Sequence, residues 1–271
     1  MIQINNVKYT YNEKIAIKDL SLEIKKGEFV AIVGSNGSGK STLAKLVSGI
    51  ILPKKGSILI DEKNTKDKKE AKEIRKKIGI VFQNPENQLV FTKIYDDMKF
   101  MLKNFEIEEH EIEERIEKAL KIVGMEEYKN QNIYDLSMGQ KQRITIAEML
   151  SLKSEYLILD EPTAMLDPLA KQDFIKIIRD LNKKEGITVI YTTNIIEEIL
   201  YSDRIIALRK GDIAFECTPK EIANKLVEFK KIGLVIPQVI ELINKLNQNG
   251  FNVNTEEFDI DKIIEEIKGR P

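Results

Sequence analysis

Apolar positions at strand spacing dominate the first ~60 residues, in IQINNVKYTY, LSLEI, EFVAIVG and SILID, split by the turn signals KKGE and PKKGS. Between EFVAIVG and SILID, STLAKLVSGI places Leu43, Leu46, Val47 and Ile50 on one helical face. IGIVFQ (78–83) reads as a short buried strand, and Glu106 to Lys129 as an acidic amphipathic helical stretch. LSMGQKQRITIAEML (136–150) opens a further helix, YLILDE (156–161) is an apolar strand, and helix 168–183 leads to strand 187–193. Strand–helix alternation of this kind predicts a parallel sheet and an α/β fold. The strand pair DRIIALRKGDIAFE ends this body near Glu216. Thr218 and Glu221 then form a capping-box pattern with Pro219 at the first helical position. Two helical patterns follow, PQVIELINKLNQNG and DIDKIIEEIKG. The lysine-dense run 61–77 reads as solvated surface.

In a sheet of this class ligands bind at the carboxyl ends of the strands. Strand 187–193 ends there in Thr192, Thr193 and Asn194, an unusual set of residues to close an apolar run. Composition narrows the choice of function. Charged residues make up 32% of the 271 residues and the net charge is −1, so no basic excess points to nucleic acid. Cys217 is the single cysteine, which excludes an intrachain disulfide framework and fits a reducing compartment. No apolar run approaches the ~18–20 residues of a membrane span, and Met1–Thr10 lacks a signal-peptide core. A cytosolic chain is expected, with any membrane attachment made through a partner.

GSNGSGKS (34–41) matches G-x-x-x-x-G-K-[ST] between a strand and a helix, the setting that the phosphate-binding loop requires. Gly34, Gly37 and Gly39 allow close backbone approach, and the N–H groups of the loop, through Ser35, Asn36 and Ser38, converge on phosphate oxygens. Lys40 supplies a charge to the β- and γ-phosphates, and the Ser41 hydroxyl is a ligand for Mg²⁺. Asp160 ends its strand where such proteins hold Mg²⁺, and Glu161 is placed to accept a proton from attacking water. Ser137 and Gln140 form an S-x-x-Q capping box around Gly139, offering a hydroxyl and N–H groups at the positive end of a helix.

Together these motifs resemble the ATP-binding-cassette ATPase family over roughly residues 1–235: GSNGSGKST with Thr42, Gln83 in VFQNPENQ, LSMGQKQR, YLILDEP and Asp167 in MLDP, all in family order. Tyr11 matches the aromatic that stacks on adenine. The resemblance implies an antiparallel β subdomain at the N-terminus, a mostly parallel core sheet, a helical signature subdomain at about 84–153 and a C-terminal helical extension. It also implies that residues 1–217 form the ATPase domain and 218–271 a helical segment for dimerisation. Two cassettes would pair head to tail, so that Ser137, Gly139 and Gln140 serve the partner's ATP. Gln83 would bridge Mg²⁺, water and a transmembrane partner.

Within the family, QNPENQ (83–88) with Asp96 and Asp97 before Phe100 is similar to the energy-coupling-factor ATPases. That implies uptake of a vitamin or transition-metal ion through an integral membrane T component and a substrate-binding S component, with ATP and Mg²⁺ as cofactors. The cassette would sit peripherally on the cytoplasmic face, and Asp96 and Asp97 could receive basic coupling helices. Other readings are an ATPase of another importer class, or a soluble or regulatory nucleotide-binding cassette with weak hydrolysis. Three positions depart from the family pattern. Met138 replaces a glycine, and Cys217 stands where glycine is common and reads as structural. Asn194 occupies the place of a histidine that contacts the γ-phosphate, and His110, the only histidine, lies far from any strand end. Asn194 has two readings: a helix N-cap in Asn194-Ile195-Ile196-Glu197, or a neutral carboxamide bonded to the γ-phosphate or water.

Overall fold

The computed structural model describes residues 1–251, 253, 263–265 and 268. The chain opens with β1 (Ile2–Tyr11), β2 (Lys14–Ile24) and β3 (Phe29–Val33), then α1 (Lys40–Val47), β4 (Lys55–Ile60) and β5 (Lys63–Asn64). α2 (Ala71–Lys77) leads directly into β6 (Ile78–Val81). Three helices follow, α3 (Ile94–Asn104), α4 (Glu109–Ile122) and α5 (Met138–Ser151). β7 (Tyr156–Asp160), α6 (Pro168–Glu185), β8 (Thr188–Thr193), β9 (Arg204–Arg209) and β10 (Asp212–Cys217) complete the core. α7 (Leu226–Lys231) and α8 (Gln238–Gln248) follow.

Two sheets result. One is antiparallel in the order β2-β1-β4-β5; the other runs β10-β9-β3-β8-β7-β6 and is parallel except where β10 pairs with β9. β3, β7 and β8 are buried at every position, which explains why FVAIV, YLIL and VIY within them read as apolar runs rather than alternating ones. α1 packs between the sheets, where Leu43, Leu46 and Val47 join one core with Ile2, Ile32, Ile158 and Ile190. α3, α4 and α5 share a second core with the opposite face of the parallel sheet. α3 is an element that the pattern reading does not include; Ile94, Met98 and Leu102, all buried, mark its inner face at a four-residue spacing.

The lysine-rich run 61–77 is only partly solvated. Thr65 and Ile74 are buried, and Asp61 accepts hydrogen bonds from Lys77 Nζ at 3.0 Å and the Tyr156 hydroxyl at 2.7 Å. Burial pushes the Asp61 carboxyl up, but bonds from the Met1 amino group, Tyr156, Lys77 and Lys26 more than offset this and hold it below the ordinary carboxylate range. The capping box at Thr218 is present, with Glu221 accepting from Thr218 N–H at 2.8 Å, but it opens a 3₁₀ turn, Pro219–Lys225, rather than an α-helix. Ile222, Phe229, Leu234 and Ile236 then pack on Val33, Ile205 and Ala207, so the chain after Cys217 shares a core with β3 and β9. Most of the predicted helix DIDKIIEEIKG lies outside the described residues.

Helix α5 approaches β6 closely because Gly79 has no side chain. A Cβ there would lie 2.6 Å from Met149 Cβ and 2.9 Å from Leu157 Cδ2. Gly79→Ala is therefore expected to lower unfolding stability by about 1–3 kcal/mol through overpacking, measured as a shift of the denaturant midpoint at unchanged slope.

Candidate active site

The carboxyl ends of β3, β7 and β8 bring the sequence-predicted residues together. After β3 the backbone enters the loop GSNGSGKS with positive φ at Gly37 (79°) and Gly39 (114°), conformations that only glycine adopts without strain. Gly39 is also sterically required, since a Cβ there would come within 2.8 Å of the Ala16 carbonyl. Lys40, buried at the start of α1, donates from Nζ to the Gly34 carbonyl at 2.7 Å and lies 3.0 Å from Glu161 Oε1. Lys40, Ser41, Thr42, Asn36, Gly37, Gly39, Gln83, Glu161 and Tyr11 line one cleft of about 420 Å³, a volume within the range of small-molecule sites. Lys14, Ile15 and Ala16 complete its wall. Tyr11 is exposed at its mouth and stacks edge-on against Tyr9, with ring centroids 4.9 Å apart. Ser38 is buried in the loop and its Oγ has no hydrogen-bond partner among the described residues.

Asp160 joins three elements. Its Oδ1 accepts from Ser41 Oγ on α1 at 2.9 Å and from Thr192 Oγ1 on β8 at 2.8 Å. Burial raises its pKa, as does the nearby Glu161, while the two hydroxyl bonds oppose the shift. Glu161 follows at φ 48°, a left-handed turn held by its N–H, which donates to Thr192 O and to Thr192 Oγ1, each at 3.1 Å. That turn directs the Glu161 carboxylate out of the sheet toward Lys40.

No local pattern assigns Thr192 a role, yet its hydroxyl donates to Asp160 and accepts from the Glu161 N–H. Thr193 has a separate task, donating to Glu198 Oε2 at 2.6 Å and accepting from Ile195 N–H at 3.0 Å. Tyr191 also donates to the buried Glu198, at 3.2 Å, and Thr163 Oγ1 bonds its other oxygen. Asn194 does not cap a helix, which corrects one of its two readings. The short 3₁₀ turn Ile196–Ile199 has Ile195 at its N-cap without a side-chain bond, and Thr193 takes the local N–H instead. Asn194 is exposed, lies outside the cleft lining and makes no side-chain hydrogen bond among the described residues.

The remaining predicted residues form a second group. Ser137 Oγ accepts from Gln140 N–H at 3.3 Å and Gln140 Oε1 accepts from Ser137 N–H at 2.8 Å, closing the capping box of α5. Asp167 caps α6, accepting from the N–H groups of Leu169 and Ala170, both at 3.0 Å. A Cβ at Gly139 would lie 3.0 Å from Ala170 Cβ, so the starts of α5 and α6 are in close contact. None of Ser137, Gly139, Gln140 or Asp167 lines the phosphate-loop cleft of its own chain. Gln142, which the motif reading passed over, links the two groups: buried on α5, its Nε2 donates to Phe82 O at 3.0 Å and Pro162 O at 2.8 Å, beside Gln83 and Glu161. A larger groove of about 720 Å³ between α6, the turn after β8 and the start of α8 contains none of the predicted site residues. Cys217 is buried and its thiol is pushed up to about 12, chiefly by burial, consistent with a structural residue. Asp97 is also buried, which removes it as an acceptor of a partner's basic helix; Asp96 is exposed.

The fold and cleft define a P-loop nucleotide-triphosphate-binding cassette. The ABC transporter family matches residues 17–164. The chain is 43% identical to the energy-coupling factor transporter ATP-binding protein EcfA1 of Caldanaerobacter subterraneus subsp. tengcongensis, covering 98% of both chains. It is 44% identical to the protein of the same name from Clostridium perfringens, over 93% of this chain and 90% of that one. Among solved structures, cbiO1 of Clostridium perfringens, part of the ABC transporter complex cbiONQ, superposes with a TM-score of 0.77 at 37% identity, over 89% of this chain and 98% of that one. A dimeric ATP-binding cassette in a post-hydrolysis state, bound to ADP and phosphate, gives a TM-score of 0.72 at 31% identity over 80% and 98%. The chain belongs to the ABC transporter family, among the energy-coupling factor ATP-binding proteins, and is an ATPase whose hydrolysis is coupled to transport.

Replacing Thr192 by valine removes the hydroxyl bonds to Asp160 and Glu161 while preserving shape. Turnover of Thr192→Val is expected to fall about tenfold, equivalent to ~1.4 kcal/mol in the barrier, as read by steady-state phosphate release.

Proposed function

We propose that this chain is the hydrolytic subunit of an energy-coupling-factor importer, pairing head to tail with a second cassette, the same or different, and driving uptake of a vitamin or transition-metal ion. The observation that carries this reading is the division of the predicted site into two groups. Lys40, Ser41, Gln83 and Glu161 line one cleft, with Asp160 bonded to Ser41 behind it, while Ser137, Gly139, Gln140 and Asp167 stand apart, as residues serving a partner's nucleotide would. The dimeric cassette among the structural relatives supports the same pairing. Among the described residues no helix is long and apolar enough to cross a membrane, so attachment to the cytoplasmic face would run through a T component, with an S component capturing substrate.

The cleft's chemistry fits ATP with Mg²⁺. The N–H groups of the glycine loop and Lys40 provide for phosphate oxygens, and the orphaned Ser38 hydroxyl is a spare donor within that loop. The donors for a metal are a hydroxyl, a carboxylate and an amide oxygen, from Ser41, Asp160 and Gln83, an all-oxygen set suited to Mg²⁺. Among the described residues no group of three or more His, Cys, Asp or Glu side chains is placed to hold a metal, so an ion here would take the one carboxylate of Asp160 and complete its shell with phosphates and water. When bound, Mg²⁺ would neutralise charge developing on the phosphates. Tyr11 offers a ring for the adenine. Lys40, 3.0 Å from Glu161, would exchange that contact for the phosphates, freeing the carboxylate to accept a proton from water. Thr192 holds Glu161 in its outward turn for this step.

Asn194 follows the end of β8, outside the lining of the cleft; on nucleotide binding its neutral carboxamide would donate to a γ-phosphate oxygen or water but could not supply an imidazolium charge near neutral pH. Hydrolysis at this site would be slower for it, and two unlike cassettes would have unequal sites.

Glu161→Gln should lower ATP turnover by ~10²–10⁴-fold while nucleotide binding persists, measured by phosphate release and fluorescent-nucleotide titration. Asn194→His should raise turnover in the assembled complex; a histidine variant no faster than wild type would contradict the role given to Asn194. For the importer assignment, purification in detergent should recover an integral membrane protein with the cassette pair, and recovery with ribosomes or of the cassette alone would refute it.

A further inference from the structure

The segment between Gln83 and α3 is fastened to the signature helix α5 along its length. At its start, Gln142 Nε2 bonds the Phe82 carbonyl. In its middle, Lys141 Nζ pairs with Glu86 at 2.6 Å. At its far end the contact is of a different kind. Asp97 Oδ1, on α3, accepts from Val90 N–H at 2.9 Å and Phe91 N–H at 2.7 Å, so it sets the backbone that presents Val90 and Phe91 to solvent. Behind Asp97 lies Glu148 of α5, in hydrogen-bond contact with both Asp97 and Gln88. Asp97 is 4% exposed and Glu148 3%.

Two carboxyl groups buried in contact cannot both carry charge unless a cation or a proton intervenes. Among the described residues neither is in a salt bridge, and the two cations of α5, Lys141 and Arg143, are committed to Glu86 and Asp173. The proton is placed on Glu148, since Asp97 Oδ1 already accepts two backbone N–H groups. Burial and the contact with Asp97 both raise the Glu148 pKa well above the ordinary range, with only Gln88 opposing. Gln88 spends its amide on Glu148 and leaves its own Oε1 buried without a partner, a cost that the contact must offset.

We propose that Glu148 is a positioning residue for hydrolysis: as the neutral acid it donates its proton to Asp97, and this bond locks the 83–91 loop to the signature helix so that Gln83 and α5 move as one body. The loop spans from the cleft at Gln83 to an exposed apolar patch in which Phe91 and Phe100 pack at 4.9 Å. A displacement at either end is therefore passed to α5 instead of being absorbed by a slack loop. The inference rests on the placement of Gln83 in the hydrolytic cleft.

The full-length chain carrying Glu148→Ala, Glu148→Gln or Gln83→Ala should be compared with wild type by ATP kinetics and by hydrogen–deuterium exchange at the Val90 and Phe91 amides. Glu148→Ala is expected to speed exchange at these amides by about tenfold or more, and to lower kcat about tenfold with KM for ATP within about twofold. Glu148→Gln keeps a donor toward Asp97 and should stay within about threefold of wild type in both readouts. Should Glu148→Ala fail to fold, Glu148→Met removes the donor at similar length and is held to the same expectation. A glutamine variant as impaired as alanine, or native exchange at Val90 and Phe91 in the alanine or methionine variant, would overturn the proposal. Unchanged turnover in Gln83→Ala would refute the underlying reading of the cleft, and with it the link to hydrolysis, whatever the exchange at the pair.

Discussion

The Asp160 carboxylate accepts one hydroxyl from α1 and one from β8, and the geometry of the cleft depends on that arrangement. It joins the helix after the glycine loop to two adjacent strands of the parallel sheet, all at their carboxyl or amino termini. The register places Asp160 beside Thr192, so a single hydroxyl can reach Asp160 and also receive the N–H of Glu161. Burial makes the site costly for a lone negative charge, and the two hydroxyl bonds only partly relieve it. A divalent cation beside that carboxylate would reverse the sign of the effect. The same buried acid thus organises the cleft and stands where the proposed Mg²⁺ would be held.

Helix α5 extends this constraint outward. Gln142 places one amide nitrogen between the carbonyls of Phe82 and Pro162, tethering the residues next to Gln83 and Glu161 to the helix whose first turn carries Ser137, Gly139 and Gln140. The groups expected to act on one nucleotide in the cleft and on another across a dimer are therefore connected through the interior of a single helix. Close approach makes this possible, because Gly79 lets α5 lie against β6 and Gly139 lets it meet α6. Polar side chains inside such a tight contact need partners, and Gln142 Nε2 finds two by holding neighbouring loops, while its Oε1 has none among the described residues.

The phosphate loop, the Asp160–Glu161 strand end and the capping box at Ser137 were legible because each is a local pattern: fixed spacing on a strand, a turn or one helical turn. α3 was harder to see, since its apolar stripe is short and sits among charged residues. Asn194 fits a helix-start pattern, yet Thr193, one residue earlier, takes the N–H that the pattern assigns to Asn194. Asp96 and Asp97 are neighbours in a helix and face opposite environments, one exposed and one buried, because a helix turns ~100° per residue.

The linear sequence by itself determined the fold class, most of the element order and the glycine-rich loop between strand and helix, because backbone geometry and local spacing are properties of consecutive residues. It also determined that no histidine stands at the end of β8. Only the tertiary structure decided that Thr192 serves Asp160 and Glu161 while Thr193 and Tyr191 serve Glu198, that Gln142 bridges two loops, and that Glu148 meets Asp97. Each of these partnerships joins residues on different elements, and hydrogen-bond reach across a packed interior depends on strand register and helix approach, which no local pattern encodes.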